Sequence, residues 1–87
     1  MPLRVTIDLV PHGIETCKRP VALIEIENDG TGTNARGNYE VRAEGETVGG
    51  WDTFFAGRVE GVQRGDYLRL VAGALQAITE EAHDEKA

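Results

Sequence analysis

Residues 66–78 read DYLRLVAGALQAI, and the spacing of apolar residues changes from two to three or four positions where this segment begins. Apolar side chains recur every three or four positions, which predicts an amphipathic helix of about four turns. Asp66 is expected to cap its N-terminus, since an Asp side chain can accept a hydrogen bond from a first-turn amide. The stripe predicted to face the core consists of Leu68, Val71, Leu75, Ile78 and Ala82, flanked by Tyr67, Leu70 and Ala74.

The chain before this helix alternates between apolar and polar residues, which predicts strands. Four runs are expected, at residues 3–10, 21–27, 39–44 and 51–62. Gly57, inside the last run, suggests a bulge or a close backbone approach. One sheet face is predicted to carry Leu3, Val5, Ile7, Ala22, Ile24, Ile26, Tyr39, Val41 and Val59. The other is predicted to be charged and mixed in sign, with Arg4, Asp8, Glu25, Glu27, Glu40, Arg42, Glu44, Arg58 and Glu60.

The predicted fold class is α+β, a four-stranded, mostly antiparallel meander with one C-terminal helix packed on one face (ββββα). Short connections favour antiparallel neighbours, because parallel strands need a longer crossover. The helix buries the apolar stripe of the sheet together with its own. Residues 1–79 are predicted to form a single domain, and the acidic residues 80–87 a disordered tail, since acids at a helix C-terminus oppose the helix dipole.

Composition limits the partners and the compartment. The formal net charge is −6, which disfavours nucleic acid as a nonspecific partner because such binding depends on a clustered positive field. No run of apolar residues is long enough to span a membrane, and no secretory signal is evident, so no membrane partner is expected. The single cysteine, Cys17, excludes an internal disulfide and suits a reducing compartment. We therefore expect a cytoplasmic protein.

Motifs that carry chemistry are mostly incomplete. No serine is present, so serine nucleophile chemistry is excluded. Residues 30–35 match a dinucleotide-binding pattern, but a strand follows them where that pattern needs a helix. Residues 25–36 resemble the start of a calcium-binding loop, yet Arg36 stands where its bidentate Glu belongs. His12 and Cys17 are too few ligands for a structural zinc site. The sequence predicts no enzyme, no catalytic residue, no cofactor and no metal.

Two groups of residues are candidates for an interaction surface. The segment 28–37 is rich in Asn, Asp and Gly and is predicted to be a loop, able to donate several hydrogen bonds or simply to act as a flexible connection. Trp51 and Phe54, near arginines, form a composition common at binding hot spots, although Trp51 also suits packing in the core or at an edge. The candidate residues are Thr31, Thr33, Asn34, Arg36, Trp51, Phe54, Arg58 and Arg64.

Three segments carry a resemblance: GNYEV at residues 37–41, GRVEG at 57–61 and YLRLVAGAL at 67–75. Together they look like short proteins encoded by phages and by prophage-bearing bacterial genomes, over roughly residues 24–78. The resemblance implies an accessory protein of a mobile element that acts inside a bacterial cell, often by binding a host or phage macromolecule. It carries over no catalytic or binding residue.

The leading functional hypothesis is a non-enzymatic accessory protein that acts by protein–protein association, with another protein or with itself as a homodimer. Small size and open sheet edges favour association. The alternative is a nucleic-acid-associated protein that uses Arg36, Arg42, Arg58 and Arg64 together with Trp51. An acidic DNA-mimic inhibitor is less favoured, because acids and arginines are interleaved along the strands.

Overall fold

The strand and helix order confirms the predicted ββββα fold. The computed structural model describes residues 2–86, with side chains described for residues 2–80. An antiparallel meander is formed by β1 (Leu3–Leu9), β2 (Arg19–Gly32), β3 (Arg36–Thr47) and β4 (Gly50–Gln63), and α1 (Tyr67–Lys86) follows it. Each strand pairs with its neighbour in the chain, because the connections are too short for a crossover.

The core lies between α1 and the sheet face that the alternation predicts. Cross-strand rows place Val5, Ile24 and Ala43 side by side, because paired residues of neighbouring strands point to the same face. The sheet contributes buried residues from β2 and β3, and the helix contributes Leu70 and Ala74. Burying a side chain as large as Ile24 contributes about 2–3 kcal/mol. The partly buried residues around this core are Leu3, Val5, Val59, Val62, Tyr67, Val71, Leu75 and Ile78.

The helix turns a slightly different face to the sheet from the one predicted. Leu68 was expected to pack on the core but is 83% exposed. At 100° per residue it lies about 140° around the helix from the direction shared by Leu70 and Ala74, which are buried. The predicted cap at Asp66 is confirmed, since its Oδ1 accepts a hydrogen bond from the backbone N–H of Arg69 at 3.4 Å. The helical backbone continues to Lys86; the side chains beyond residue 80 lie outside the described ones, and the disordered tail stays a prediction.

The segment 28–37 is mostly strand, which corrects the predicted loop. β2 extends to Gly32 and β3 begins at Arg36, so only residues 33–35 connect them. Between the pairs Asn28–Tyr39 and Gly32–Gly37 the register shifts, leaving three residues of β2 opposite one of β3. Gly30 and Gly32 adopt positive φ there (84° and 107°). Glycines that resemble loop residues in the sequence therefore form a wide bulge inside a ladder.

β4 carries two bulges, and neither of them is at Gly57, where the sequence suggested one. Residue 54 is extra between the pairs of Ala43 and Glu44, and residues 60–61 stand opposite a single residue of β3. The first bulge brings Phe54 over Gly45, where an added Cβ would lie 3.1 Å from Phe54 Cε2 and 3.3 Å from Ile78 Cγ2. The regular stretch between the bulges spans residues 55–59 and has Gly57 at its centre.

Candidate interaction surfaces

Asn38 joins the bulges of two strands at one end of the sheet. It stands alone on β3 opposite residues 29–31 of β2 and residues 60–61 of β4. Its Nδ2 donates to Thr31 Oγ1 at 2.8 Å, and its Oδ1 accepts from the backbone N–H of Gly61 at 3.0 Å. One side chain thus satisfies groups that the irregular ladders leave without a backbone partner.

Arg58 completes what we call the polar cluster, formed by Asp29, Thr31, Asn38 and Arg58. Its Nε donates to Asp29 Oδ2 at 2.8 Å and its Nη2 to Thr31 Oγ1 at 2.9 Å, while Nη1 reaches Glu60 at 3.0 Å. The Thr31 hydroxyl donates to Asp29 Oδ1 at 2.5 Å. The guanidinium therefore holds the β2 bulge against β4, and its donors are engaged within the fold.

The Asp29 carboxylate is stabilised in its charged form. Hydrogen bonds from the Thr31 hydroxyl and then from the Thr31 backbone N–H lower the pKa of Asp29 below its ordinary value, and Arg58 acts in the same direction. A carboxylate held in this way stays ionised at neutral pH and is a poor general acid. The polar cluster is therefore suited to holding the strands together and not to acid–base chemistry.

Arg36 and Arg64 bind carbonyl oxygens at the same end of the sheet. Arg64 Nε donates to the Thr33 carbonyl at 2.8 Å, and Arg36 Nη1 donates to the Gly61 carbonyl at 2.9 Å. Among the described residues, these are the two arginines with no carboxylate within salt-bridge distance. Arg64 thus holds the β2–β3 turn and Arg36 the bulge of β4, and no described carboxylate neutralises either charge.

The structure brings together only part of the predicted surface. Thr31, Thr33, Arg36, Arg58 and Arg64 meet at the β2–β3 end, with Asn34 exposed in the turn. The aromatic residues of the predicted surface lie apart from this group.

Trp51 pairs with Glu46 at the other end of β4, seven residues from Arg58, or roughly 23 Å along the strand. Its Nε1 donates weakly to Glu44 at 3.4 Å. Phe54, beside it in sequence, packs over Gly45 and lines no surface with the arginines. The aromatic and basic halves of the predicted surface are therefore separate.

Asp29 and Asn38 are essential members of the cluster that the sequence analysis missed. Asn is depleted in strand interiors, so an Asn preceded by Gly37 within an alternating run was the available signal for Asn38. Asp29 had no comparable signal, because its main partner, Arg58, is 29 residues away.

An apolar groove runs between α1 and β4, on the helix-covered side of the sheet. Its cavity volume is about 300 Å³. Phe55 and Val59 form the floor on β4, and Phe55 is 37% exposed. On the helix side, Gly73 and Ala77 keep the groove open because they are small, and no atom lies within 4 Å of an ideal Cβ at Gly73. The groove thus opens directly beside the outer edge of β4, an edge that has no partner strand among the described residues.

The other sheet face is open and charged, as predicted. A shallow cavity of about 460 Å³ lies over it, with Glu25, Glu27, Glu40 and Arg42 in its lining. Ion pairs between Arg4 and Glu25 (3.2 Å) and between Arg42 and Glu44 (2.8 Å) alternate the sign of charge across it. Pairs this exposed contribute at most about 1 kcal/mol each.

The metal-ligating side chains in the described part of the chain are scattered. Within it, no three His, Cys, Asp or Glu side chains are placed to hold a metal ion, and Cys17 is exposed. No described helix is long and apolar enough to cross a membrane.

Comparison with known proteins adds no relative. No family description matches the chain, no curated protein is significantly similar to it, and no solved structure matches its fold.

Proposed function

We propose that this protein is a non-enzymatic interaction protein that works by protein–protein association through β4. The observation that carries the proposal is the apolar groove beside the free edge of that strand. Backbone N–H and C=O groups along a sheet edge can hydrogen-bond an added strand, and alternate side chains of that strand then enter the neighbouring groove. The strand edge would thus provide affinity through backbone hydrogen bonds, and the adjacent groove would provide specificity through side-chain contacts.

The two edges of the sheet differ in a way that favours β4. β1 is seven residues long and ends at a connection with two short 3₁₀ turns, Pro11–Gly13 and Glu15–Cys17. β4 is fourteen residues long, with neither proline nor lysine among them. Natural sheets protect their edges with short strands, proline, lysine or bulges, and of these β4 has only the bulges. Its length and its lack of proline and lysine make the edge of β4 the better template for an added strand.

The proposal also covers the biological setting. The resemblance to phage and prophage proteins supports an accessory role in the cytoplasm of a bacterial cell. An acidic protein of net charge −6 repels nucleic acid overall, which favours a protein partner.

Site-specific photo-crosslinking tests this function. A photoreactive residue replaces Phe55 in the groove, and a matched variant carries it at Thr6, which is exposed on β1 at the other edge. In bacterial cells that produce the protein, we expect discrete covalent adducts from position 55 and few from position 6. Equal labelling at the two positions, or no adduct at position 55, would refute association through β4.

Nucleic-acid binding is the second candidate, and one observation favours it. Arg36 and Arg64 lie together and have no carboxylate partner among the described side chains. Binding through them would weaken strongly between about 50 mM and 200 mM salt. Fluorescence anisotropy with single- and double-stranded oligonucleotides tests this, with Arg36→Gln/Arg64→Gln compared against Arg42→Gln. Absence of binding at the lower salt concentration would remove this candidate.

A DNA-mimic function has less support than either candidate. Such a function needs continuous rows of acids, and the ion pairs of Arg4 and Arg42 interrupt the acids of the open face.

A further inference from the structure

We infer that the strand docking on β4 is β4 of a second copy of this chain, related by a two-fold axis that passes beside Gly57. This inference rests on the proposed function and specifies its partner. Two antiparallel β4 strands would join the sheets into one of eight strands, with both helices on the same face.

The bulges of β4 are spaced symmetrically about Gly57. One lies at residue 54, three positions before it, and the other begins at residue 60, three positions after it. The regular stretch of residues 55–59 can therefore pair with itself in antiparallel orientation, while each bulge meets the opposite bulge of the other copy. A two-fold axis elsewhere on β4 would oppose a bulge to regular strand and so would interrupt the new ladder.

This register gives favourable pairs on the helix-covered face. Phe55 of one copy lies opposite Val59 of the other, and the two-fold axis repeats the pair. Cross-strand pairs of aromatic and β-branched residues stabilise antiparallel ladders. Gly57 lies opposite itself at the axis, where it has no side chain to obstruct the approach of the strands. The floor of each groove is therefore continued by the other copy's floor, and the two apolar strips become one.

On the charged face, the same register avoids repulsion between directly opposed charges. Arg58 lies opposite Ala56 of the second copy, so no two like charges face each other within residues 55–59. Each Arg58 guanidinium is already held by Asp29 and Glu60 of its own chain. The arginine stem is left to cover the Ala56 methyl of the other copy.

The spacing of the helices suits a shared groove. α1 packs mainly against β3, so the two helices would be separated by about three strand spacings, or roughly 14 Å. That distance exceeds the 8–10 Å of directly packed helices, and it leaves a channel between them. Phe55 and Val59 from both copies, with Gly73 and Ala77 on the walls, would line that channel.

The monomer exposes more surface than its mass predicts. A compact chain of 9.5 kDa has about 5,000 Å² of accessible surface, whereas this chain has 6081 Å². The molecule is also thin, with extents of 45 × 32 × 16 Å. The excess of about 1,000 Å² is close to the roughly 800 Å² that each partner buries in a standard interface. The excess exposed surface is therefore large enough for an interface with a second copy along β4.

Disulfide trapping tests the register. In a Cys17→Ala background, Gly57→Cys places a thiol at the axis, where directly opposed Cα atoms about 4.5–5.5 Å apart suit a disulfide. The added Cβ meets only the Phe55 ring, at an ordinary 3.5 Å. The control Thr53→Cys is exposed on the same strand but would lie roughly 25 Å from its copy. We expect a covalent dimer from Gly57→Cys and none from Thr53→Cys; the reverse result, or equal yields, would overturn the register.

Sedimentation equilibrium of the wild-type chain supplies the second measurement. We expect twice the monomer mass, and a dissociation constant raised about 2- to 30-fold by Ala56→Lys, which opposes Arg58 of the second copy with a like charge twice. Thr53→Lys, on the same exposed side of β4, is the matched control and should leave the constant unchanged. Far-UV circular dichroism checks that both variants fold.

The outcomes separate this inference from the proposed function. A wild-type monomer at all concentrations, together with a heterologous adduct from position 55, overturns self-association and leaves protein association through β4 standing. A monomer with no adduct from position 55 overturns both.

Discussion

The two hairpin ends of the sheet are held together by different means. At the β2–β3 end, the polar cluster and the two carbonyl-binding arginines connect three strands through side chains. At the β3–β4 end, the turn residue Val48 is 99% exposed, and Trp51 makes only a long hydrogen bond to Glu44. An ion pair between Arg19 and Glu46 joins β2 to β3 there. Side-chain hydrogen bonds therefore hold the β2–β3 end together, whereas the β3–β4 end is held mainly by the backbone hydrogen bonds between its strands.

This difference shows that polar, glycine-rich sequence can be structural. The residues that most resembled a binding loop are engaged with each other, while the surface best suited to a partner is apolar and lies along β4. Hydrogen-bonding capacity used within the fold is not available to a ligand. If the comparison is correct, substitutions of the residues that form the network at the β2–β3 end should destabilise the protein, and those at the β3–β4 turn should not.

The largest effect is expected for Gly32→Ala. Its φ is 107°, and an added Cβ would lie 2.4 Å from the Arg36 carbonyl oxygen, so both strain and a backbone clash result. We expect a loss of about 3 kcal/mol or more in the free energy of unfolding, measured with urea. Gly30→Ala is the control, with positive φ but open space, and should cost about 1 kcal/mol. Equal losses of stability in the two variants would show that the close approach of residue 32 to the Arg36 carbonyl does not matter.

Asn38→Ala should have the next largest effect. The change removes two hydrogen bonds and leaves the Gly61 N–H at a bulge without its partner, so we expect a loss of about 1–3 kcal/mol. Asn34→Ala, in the exposed turn, should change stability by less than about 0.5 kcal/mol. Thermal unfolding of both variants measures the difference, and similar values would contradict the bridging role of Asn38.

A smaller effect is expected from protonation of Asp29. Because the pKa of this carboxyl is lowered in the folded state, it contributes stability above its ordinary pKa, and that contribution disappears as the pH falls through the folded value. Thr31→Val should raise the pKa of Asp29 toward its ordinary value, because the Thr31 hydroxyl is the largest cause of the shift. A carboxyl-detected NMR titration of the wild-type and Thr31→Val proteins measures it. An unchanged Asp29 pKa would refute the hydrogen-bonded arrangement.

The smallest effect is expected at the opposite end. Val48→Ser replaces a side chain that is 99% exposed, so the free energy of unfolding should change by less than about 0.5 kcal/mol. Native-state hydrogen exchange should also show faster opening near Val48 than near Asn38. A loss above 1 kcal/mol for Val48→Ser would mean that this turn has a role beyond closing the chain.

Much of the fold could be predicted from local pattern. The alternation of Val5, Ile24 and Val41 with charged neighbours is a strand signal within a few residues, and the helical spacing from Tyr67 to Ile78 is equally local. Short connections then leave an antiparallel meander as the simple topology. These predictions succeeded because each depends on the burial of one face of one element.

The bulges and the groove could not be predicted in this way. The wide bulge in β2 depends on Arg58, which reaches it from 27 to 29 residues away, so composition alone indicated a loop. Phe54 and Phe55 both serve the helix-covered side because an extra residue in β4 breaks the alternation. The groove depends on α1 lying mainly over β3, and the helical stripe specifies which residues point inward but not which strands they cover.

The position of Trp51 has a practical consequence for spectroscopy. It is the one tryptophan in the chain, it is 43% exposed, and it lies at the end of the sheet that is held mainly by backbone hydrogen bonds. Tyr39 and Tyr67, in contrast, stack edge-to-face in the core with their ring centres 5.8 Å apart. Indole fluorescence will therefore report fraying of the β3–β4 hairpin before the whole protein unfolds. The near-ultraviolet signals of the tyrosines will instead follow the unfolding of the core.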